Sequence, residues 1–110
     1  MRSRLEARYA GLLDSQEVPW LYEPQVFASG DRQWLPDFKW LEFRNRYIEV
    51  KPTLGAAIEG IVTVEPIFAS IPDAVVYIVW PEDAVHWSCI VRKQDHAYLV
   101  GEGRWTGYQS

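Results

Sequence analysis

The pattern of apolar and polar positions divides the chain into helical and extended stretches. Residues 2–15 set Leu5, Tyr9, Leu12 and Leu13 at helical spacing, which predicts an amphipathic helix. Residues 18–24 read as a first strand, and the aromatic-rich residues 34–41 as a second. Residues 43–46 form a plausible turn, with Asn45 able to take positive φ. In Arg46-Tyr47-Ile48-Glu49-Val50-Lys51, alternation puts Glu49 and Lys51 on one face of a strand and Ile48 and Val50 on the opposite, buried face.

The second half shows structure more than chemistry. Thr53 can cap a helix on which Leu54, Ile58, Ile61 and Val62 follow helical spacing. Gly55, Gly60 and Pro66 weaken that helix and predict a break near Glu65-Pro66. Residues 74–80 are almost all apolar, as a strand buried on both faces would be. A strand, helix and strand in succession predict a parallel crossover from Ile48 to Trp80. Residues 87–91 and 97–100 predict a short hairpin, and residues 101–110 a loosely held tail. Glu82-Asp83 reads as a helix start or loop. His86 and His96 lack metal-ligand spacing and read as surface or packing residues. Glu59 reads as solvent-facing.

The chemistry gathers between residues 35 and 52. A hairpin of the second strand with residues 46–51 brings Asp37 beside Glu49, on a sheet edge, with Lys51 on the same face. Two carboxylates this close repel unless a cation sits between them. An all-oxygen site with few protein ligands suits magnesium. Lys51 could stabilise developing charge on a phosphate or, with a lowered pKa, take a proton. Each residue also has an ordinary reading. Pro36-Asp37 is a common turn pair, Glu49-Val50-Lys51 would suit the solvated face of an edge strand, and Glu6 would suit a helix surface.

Pro36-Asp37 followed by Glu49-Val50-Lys51 resembles the signature of the PD-(D/E)xK nucleases, the restriction-endonuclease-like superfamily. The order Arg2-Ser3-Arg4-Leu5-Glu6, Tyr22-Glu23, Pro36-Asp37-Phe38 and Glu49-Val50-Lys51 is similar to that of phage endonuclease I-type junction resolvases and TnsA-like transposon endonucleases. The resemblance covers residues 2–53, about half of the chain. It implies an α/β fold with a restriction-endonuclease-like core, a mixed central sheet flanked by helices. It also implies that Asp37 and Glu49 bind magnesium, with manganese as a substitute, that Val50 offers its carbonyl, that Lys51 is catalytic, and that Glu6 supports metal or water. Glu23 is a weaker candidate. The activity implied is metal-dependent hydrolysis of DNA phosphodiesters in phage or mobile-element DNA processing. The same phosphoryl chemistry would serve an RNA nuclease.

Composition changes this picture in three ways. At 110 residues the chain has the length of one domain with one core, and its 48% apolar and 15% aromatic content can build it. The single cysteine, Cys89, excludes an internal disulfide; with no bilayer-spanning apolar run and no signal-peptide pattern, a cytoplasmic setting is expected. The formal net charge of −4 argues against nucleic-acid binding, which usually shows a basic footprint. The imbalance belongs wholly to residues 52–110, with three basic and seven acidic side chains. Arg2, Arg4 and Arg8 on the first helix, and Arg44 and Arg46 at the turn, are candidate phosphate contacts, each equally readable as a solvating side chain. DNA affinity is therefore expected to be modest and salt-sensitive, helped by a homodimer or partner protein. The rival reading is a catalytically idle module on this scaffold that binds DNA or a protein.

Overall fold

The computed structural model describes residues 1–105, with side chains described through residue 100. Helix α1 (Arg4–Ser15) starts two residues later than its periodicity alone predicts. Ser3 caps it, its hydroxyl accepting from the Glu6 N–H at 3.0 Å and satisfying one of the free donors of the first turn. Strand β1 (Trp20–Tyr22) follows.

The strand expected over residues 34–41 is shorter, and a hairpin that was not expected precedes it. A small hairpin, β2 (Phe27–Ser29) with β3 (Arg32–Trp34), forms its own two-stranded sheet, and β4 (Phe38–Trp40) joins the main one. Gly30 turns the hairpin with φ +62°, a conformation that glycine adopts without steric cost. Leu35-Pro36-Asp37 is the break between β3 and β4, as proline, lacking an N–H, favours at a strand end.

Strand β5 (Arg46–Val50), helix α2 (Leu54–Thr63), the short helix α3 (Ile67–Ser70) and strand β6 (Val75–Pro81) make the expected crossover. Strands β5 and β6 are parallel, with Ile48 opposite Tyr77 and Val50 opposite Val79. Thr53 caps α2 through the Ala56 N–H at 3.1 Å, and the helix stops before Glu65-Pro66 as expected. Strands β7 (Trp87–Arg92) and β8 (Ala97–Trp105) complete the chain. Residues 101–105 thus extend β8 and are not part of a tail; residues 106–110 lie outside the described residues.

The main sheet is mixed, with strand order β1-β4-β5-β6-β7-β8. Strand β5 is therefore interior, and the expectation of a sheet-edge site is corrected. Ile48 and Val50 pack with Tyr9 and Leu13 of α1, while Tyr47 packs with Ala57 and Val64 of α2 on the other face. Asn45 does not take positive φ; its side-chain amide donates to the Asp73 carbonyl at 2.7 Å, tying the β4–β5 turn to the start of β6. Cys89 is fully buried, and its thiol is pushed well above the ordinary range by burial.

The apolar spacing of α2 misplaces its buried face. Ala57, Gly60 and Val64 face the sheet, Ile61 is partly buried, and Leu54, Ile58 and Val62 are exposed. Gly60 decides this. A Cβ there would lie at ordinary contact distance, 3.5 Å from the Ile78 side chain and 3.6 Å from Lys51 Cε, so a residue larger than alanine would not fit at this approach to β6. Small residues seat the helix, and its larger apolar ones are left to the side.

Candidate active site

The topology brings several chain segments to one end of the sheet. Strand β5 runs towards that end, its parallel neighbour β6 does too, and antiparallel β4 starts there. Asp37 precedes β4, and Glu49, Val50 and Lys51 close β5. Strand β1, antiparallel to β4, delivers Tyr22 and Glu23 to the same end. The first turn of α1, with Glu6, joins it through Tyr22, whose hydroxyl donates to Glu6 Oε1 at 2.6 Å.

Asp37 and Glu49 come together as the pairing requires. With Phe38 opposite Ile48, Asp37 falls next to Glu49 in the antiparallel register. Asp37 Oδ2 accepts from the Val50 N–H at 2.7 Å, which anchors the side chain on the end of β5. Glu49 is only 6% exposed. Its Oε2 lies 3.4 Å from Lys51 Nζ, and its Oε1 is buried without a hydrogen-bond partner. The Trp34 indole N–H is also buried without a formed bond, yet it sits near enough to favour the Glu49 carboxylate.

Burial sets the electrostatics. Asp37 is pushed up to about 8, first by desolvation and then by the Glu49 charge; the Val50 N–H opposes this, and Glu6 adds to it. Desolvation also raises Glu49, against the pull of Lys51 and of the Trp34 and Asp37 donors. Near neutral pH the metal-free pair therefore retains a proton, because a buried and a half-buried carboxylate side by side cannot both ionise cheaply. The solvated-edge reading of Glu49 does not fit an interior, buried position.

The oxygens present suit a hard cation. An orphaned buried carboxylate oxygen beside a second carboxylate, with no thiol or imidazole at hand, matches what magnesium accepts. Among the described residues no third acidic, histidine or cysteine side chain completes a compact ligand cluster. Magnesium usually keeps several waters, so two carboxylates and a carbonyl can suffice. The Val50 N–H is taken by Asp37.

The candidate arginines divide. Arg2 pairs with Glu23, whose backbone N–H donates to the Asp37 carbonyl at 2.8 Å. Glu23 holds positive φ, so this corner is tightly constrained. The Arg8 guanidinium donates to the carbonyls of Asp83 and Ala84 and stacks over Trp87. Arg4 is exposed on the first turn of α1. Arg44 and Arg46 lie near the start of β5, at the opposite end of the sheet, where Arg46 stacks on Trp40 and Phe43. They are not brought together with Asp37. His86 pairs with Asp83 and His96 with Asp95 on the surface; His96, in the β7–β8 turn, lies at the end of the sheet opposite the carboxylates.

Sequence reasoning missed Trp34 and Tyr22 as parts of this site. Tyr22 carries a usable signal, since it lies in a strand beside the acidic Glu23. Trp34 carries none, because its role depends on the break at Pro36 folding β3 back over β5. No protein-family model, curated protein or solved structure matches this chain.

Proposed function

We propose that this protein is a magnesium-dependent endonuclease that hydrolyses DNA phosphodiesters, on a core of the restriction-endonuclease type. The observation that carries this reading is the buried Glu49 against a half-buried Asp37 and beside Lys51, with an oxygen of Glu49 left without a hydrogen-bond partner. Burying such a pair is costly, and a purely structural strand would place apolar residues there.

Asp37, Glu49 and the Val50 carbonyl would hold the ion. Bound magnesium would supply Lewis acidity at a phosphate oxygen and a more acidic water. The Val50 N–H fixes the Asp37 carboxylate, so that group needs little reorganisation on binding. Glu49 holds the Lys51 ammonium at the site, where it can orient a water or neutralise charge on the scissile phosphate. Tyr22 orients Glu6, which can position a water. The start of α2 lies at this end of the sheet and adds a partial positive charge favourable to phosphate. Arg4 is the best placed of the arginines to contact the backbone of DNA.

The test is nicking of supercoiled plasmid in magnesium and in manganese. Wild type should relax the plasmid only with metal, and Asp37→Ala, Glu49→Gln and Lys51→Ala should each lower the rate by at least about a hundredfold. Full activity in any of the three removes that residue from the site.

One observation favours a catalytically idle binding module: Arg2 and Arg8 are engaged within the protein, which thins the positive surface at this end. Manganese calorimetry separates the two readings. An idle site binds the ion weakly, and Asp37→Ala then leaves the titration unchanged.

A further inference from the structure

Two buried polar atoms without a formed hydrogen bond belong to neighbouring side chains, and one is a donor and the other an acceptor. They are the Trp34 indole nitrogen and Glu49 Oε1. Trp34 is 4% exposed and Glu49 6% exposed, so both atoms lie away from bulk solvent. Left apart, each is a costly group; bonded to one another, they are both satisfied. The β2–β3 hairpin explains why they meet. Tyr47 and Glu49 share one face of β5, because side chains alternate along a strand. Phe27 stands edge-on to Tyr47, with ring centroids 5.3 Å apart. Trp34 is opposite Phe27 in the hairpin register and stacks against it, with 6.2 Å between centroids. The indole thus lies over that face of β5, close enough for its N–H to favour the Glu49 carboxylate. Arg32, also on β3, pins the hairpin to the end of α2. Its guanidinium donates to Glu65 Oε2 at 3.0 Å and to the Val62 carbonyl at 2.7 Å.

We propose that Trp34 is a positioning residue of the candidate active site: its indole N–H donates to Glu49 Oε1 and fixes the rotation of that carboxylate beside Asp37 and Lys51. The proposal rests on the magnesium-site reading of Asp37 and Glu49. The other Glu49 oxygen lies 3.4 Å from Lys51 Nζ, so the carboxylate is held from two sides. An indole is a donor only, so it orients Glu49 without competing for a cation or adding charge. Its ring is steadied by the stack on Phe27, which makes the donor a fixed one. A carboxylate held in this way keeps its direction before a cation arrives, and hydrogen-bonding partners behind a metal ligand are worth about ten- to a hundredfold in metal affinity.

Two variants separate the N–H from the packing. Trp34→Phe removes the N–H together with part of the ring. Benzothienylalanine introduced in place of Trp34 keeps the shape of the ring and puts sulfur where the N–H was. Manganese calorimetry on the full chain should give, for both, an affinity at least about tenfold below wild type, with circular dichroism unchanged. In proton–nitrogen NMR of the metal-free protein, the Trp34 indole signal is assigned by its loss in Trp34→Phe. It should move upfield by at least about 0.5 ppm in Glu49→Gln, because a charge-assisted bond becomes a neutral one. Wild-type affinity in the benzothienylalanine protein, or an indole signal that stays in place in Glu49→Gln, would overturn the proposal. A loss of affinity confined to Trp34→Phe would overturn it too, since packing alone would then explain it. Where wild type binds manganese and Asp37→Ala abolishes that binding, these outcomes leave the site reading standing. If wild type binds no manganese, the site reading itself fails and the positioning role falls with it.

Discussion

At the scale of single residues, the carboxyl of Asp37 makes stability depend on pH. Asp37 has a folded pKa pushed up to about 8, against a reference of 3.8. Between those values the folded state binds more protons than the unfolded one, so stability is greatest at low pH within the window and falls as pH rises. Metal-free protein should therefore melt at a lower temperature at pH 9 than at pH 5. Asp37→Asn, which removes the buried charge, should flatten the difference; an unchanged slope in this variant would mean that Asp37 is not the group responsible. Tyr22 offers a second test. Its hydroxyl bridges Glu6 and the Arg2 backbone N–H, so Tyr22→Phe should lower the midpoint of chemical denaturation.

At the scale of elements, α2 shows what spacing can and cannot reveal. Its start was legible: Thr53 caps it, and Thr53→Ala should cost about 1 kcal/mol. Its end was legible in Glu65-Pro66. Its buried face was not, because periodicity ranks residues by hydrophobicity, whereas close approach to β6 ranks them by size. Gly60→Ala should be tolerated, or gain up to about 1 kcal/mol from helix propensity, since the new methyl would make ordinary contacts. Gly60→Leu should cost about 1–3 kcal/mol, because the longer side chain must displace Ile78 or the Lys51 stem. Equal melting temperatures for the alanine and leucine variants would refute this account of the seating. The β2–β3 hairpin was illegible for a related reason: its strands have three residues each, too few for alternation to show.

At the scale of the whole molecule, charge limits how DNA could be held under the proposed function. The chain is acidic overall, and Arg2 and Arg8 are committed to internal contacts. Among the described side chains, Lys51 and Arg4 remain for phosphates at the site end. Affinity for duplex DNA should then fall only roughly ten- to fortyfold between 50 and 200 mM salt, as expected for two or three phosphate contacts. A steeper fall in a salt titration would mean that Arg44 and Arg46, at the far end, also contact the duplex. No helix of the described residues is long and apolar enough to cross a membrane.

The sequence by itself determined the order in which the elements follow and which residues were candidates for the chemistry, because caps, proline breaks and β-rich runs act locally. Asp37, Glu49 and Lys51 were readable from their spacing and residue types. Only the tertiary structure decided that β5 is interior, that Glu49 is buried with an unpartnered oxygen, and that Trp34 and Tyr22 belong beside it. It also parted Arg44 and Arg46 from the site and turned Leu54, Ile58 and Val62 outward. These outcomes depend on strand order and on how closely two surfaces approach, which are properties of contacts between distant segments and leave no local mark in the chain.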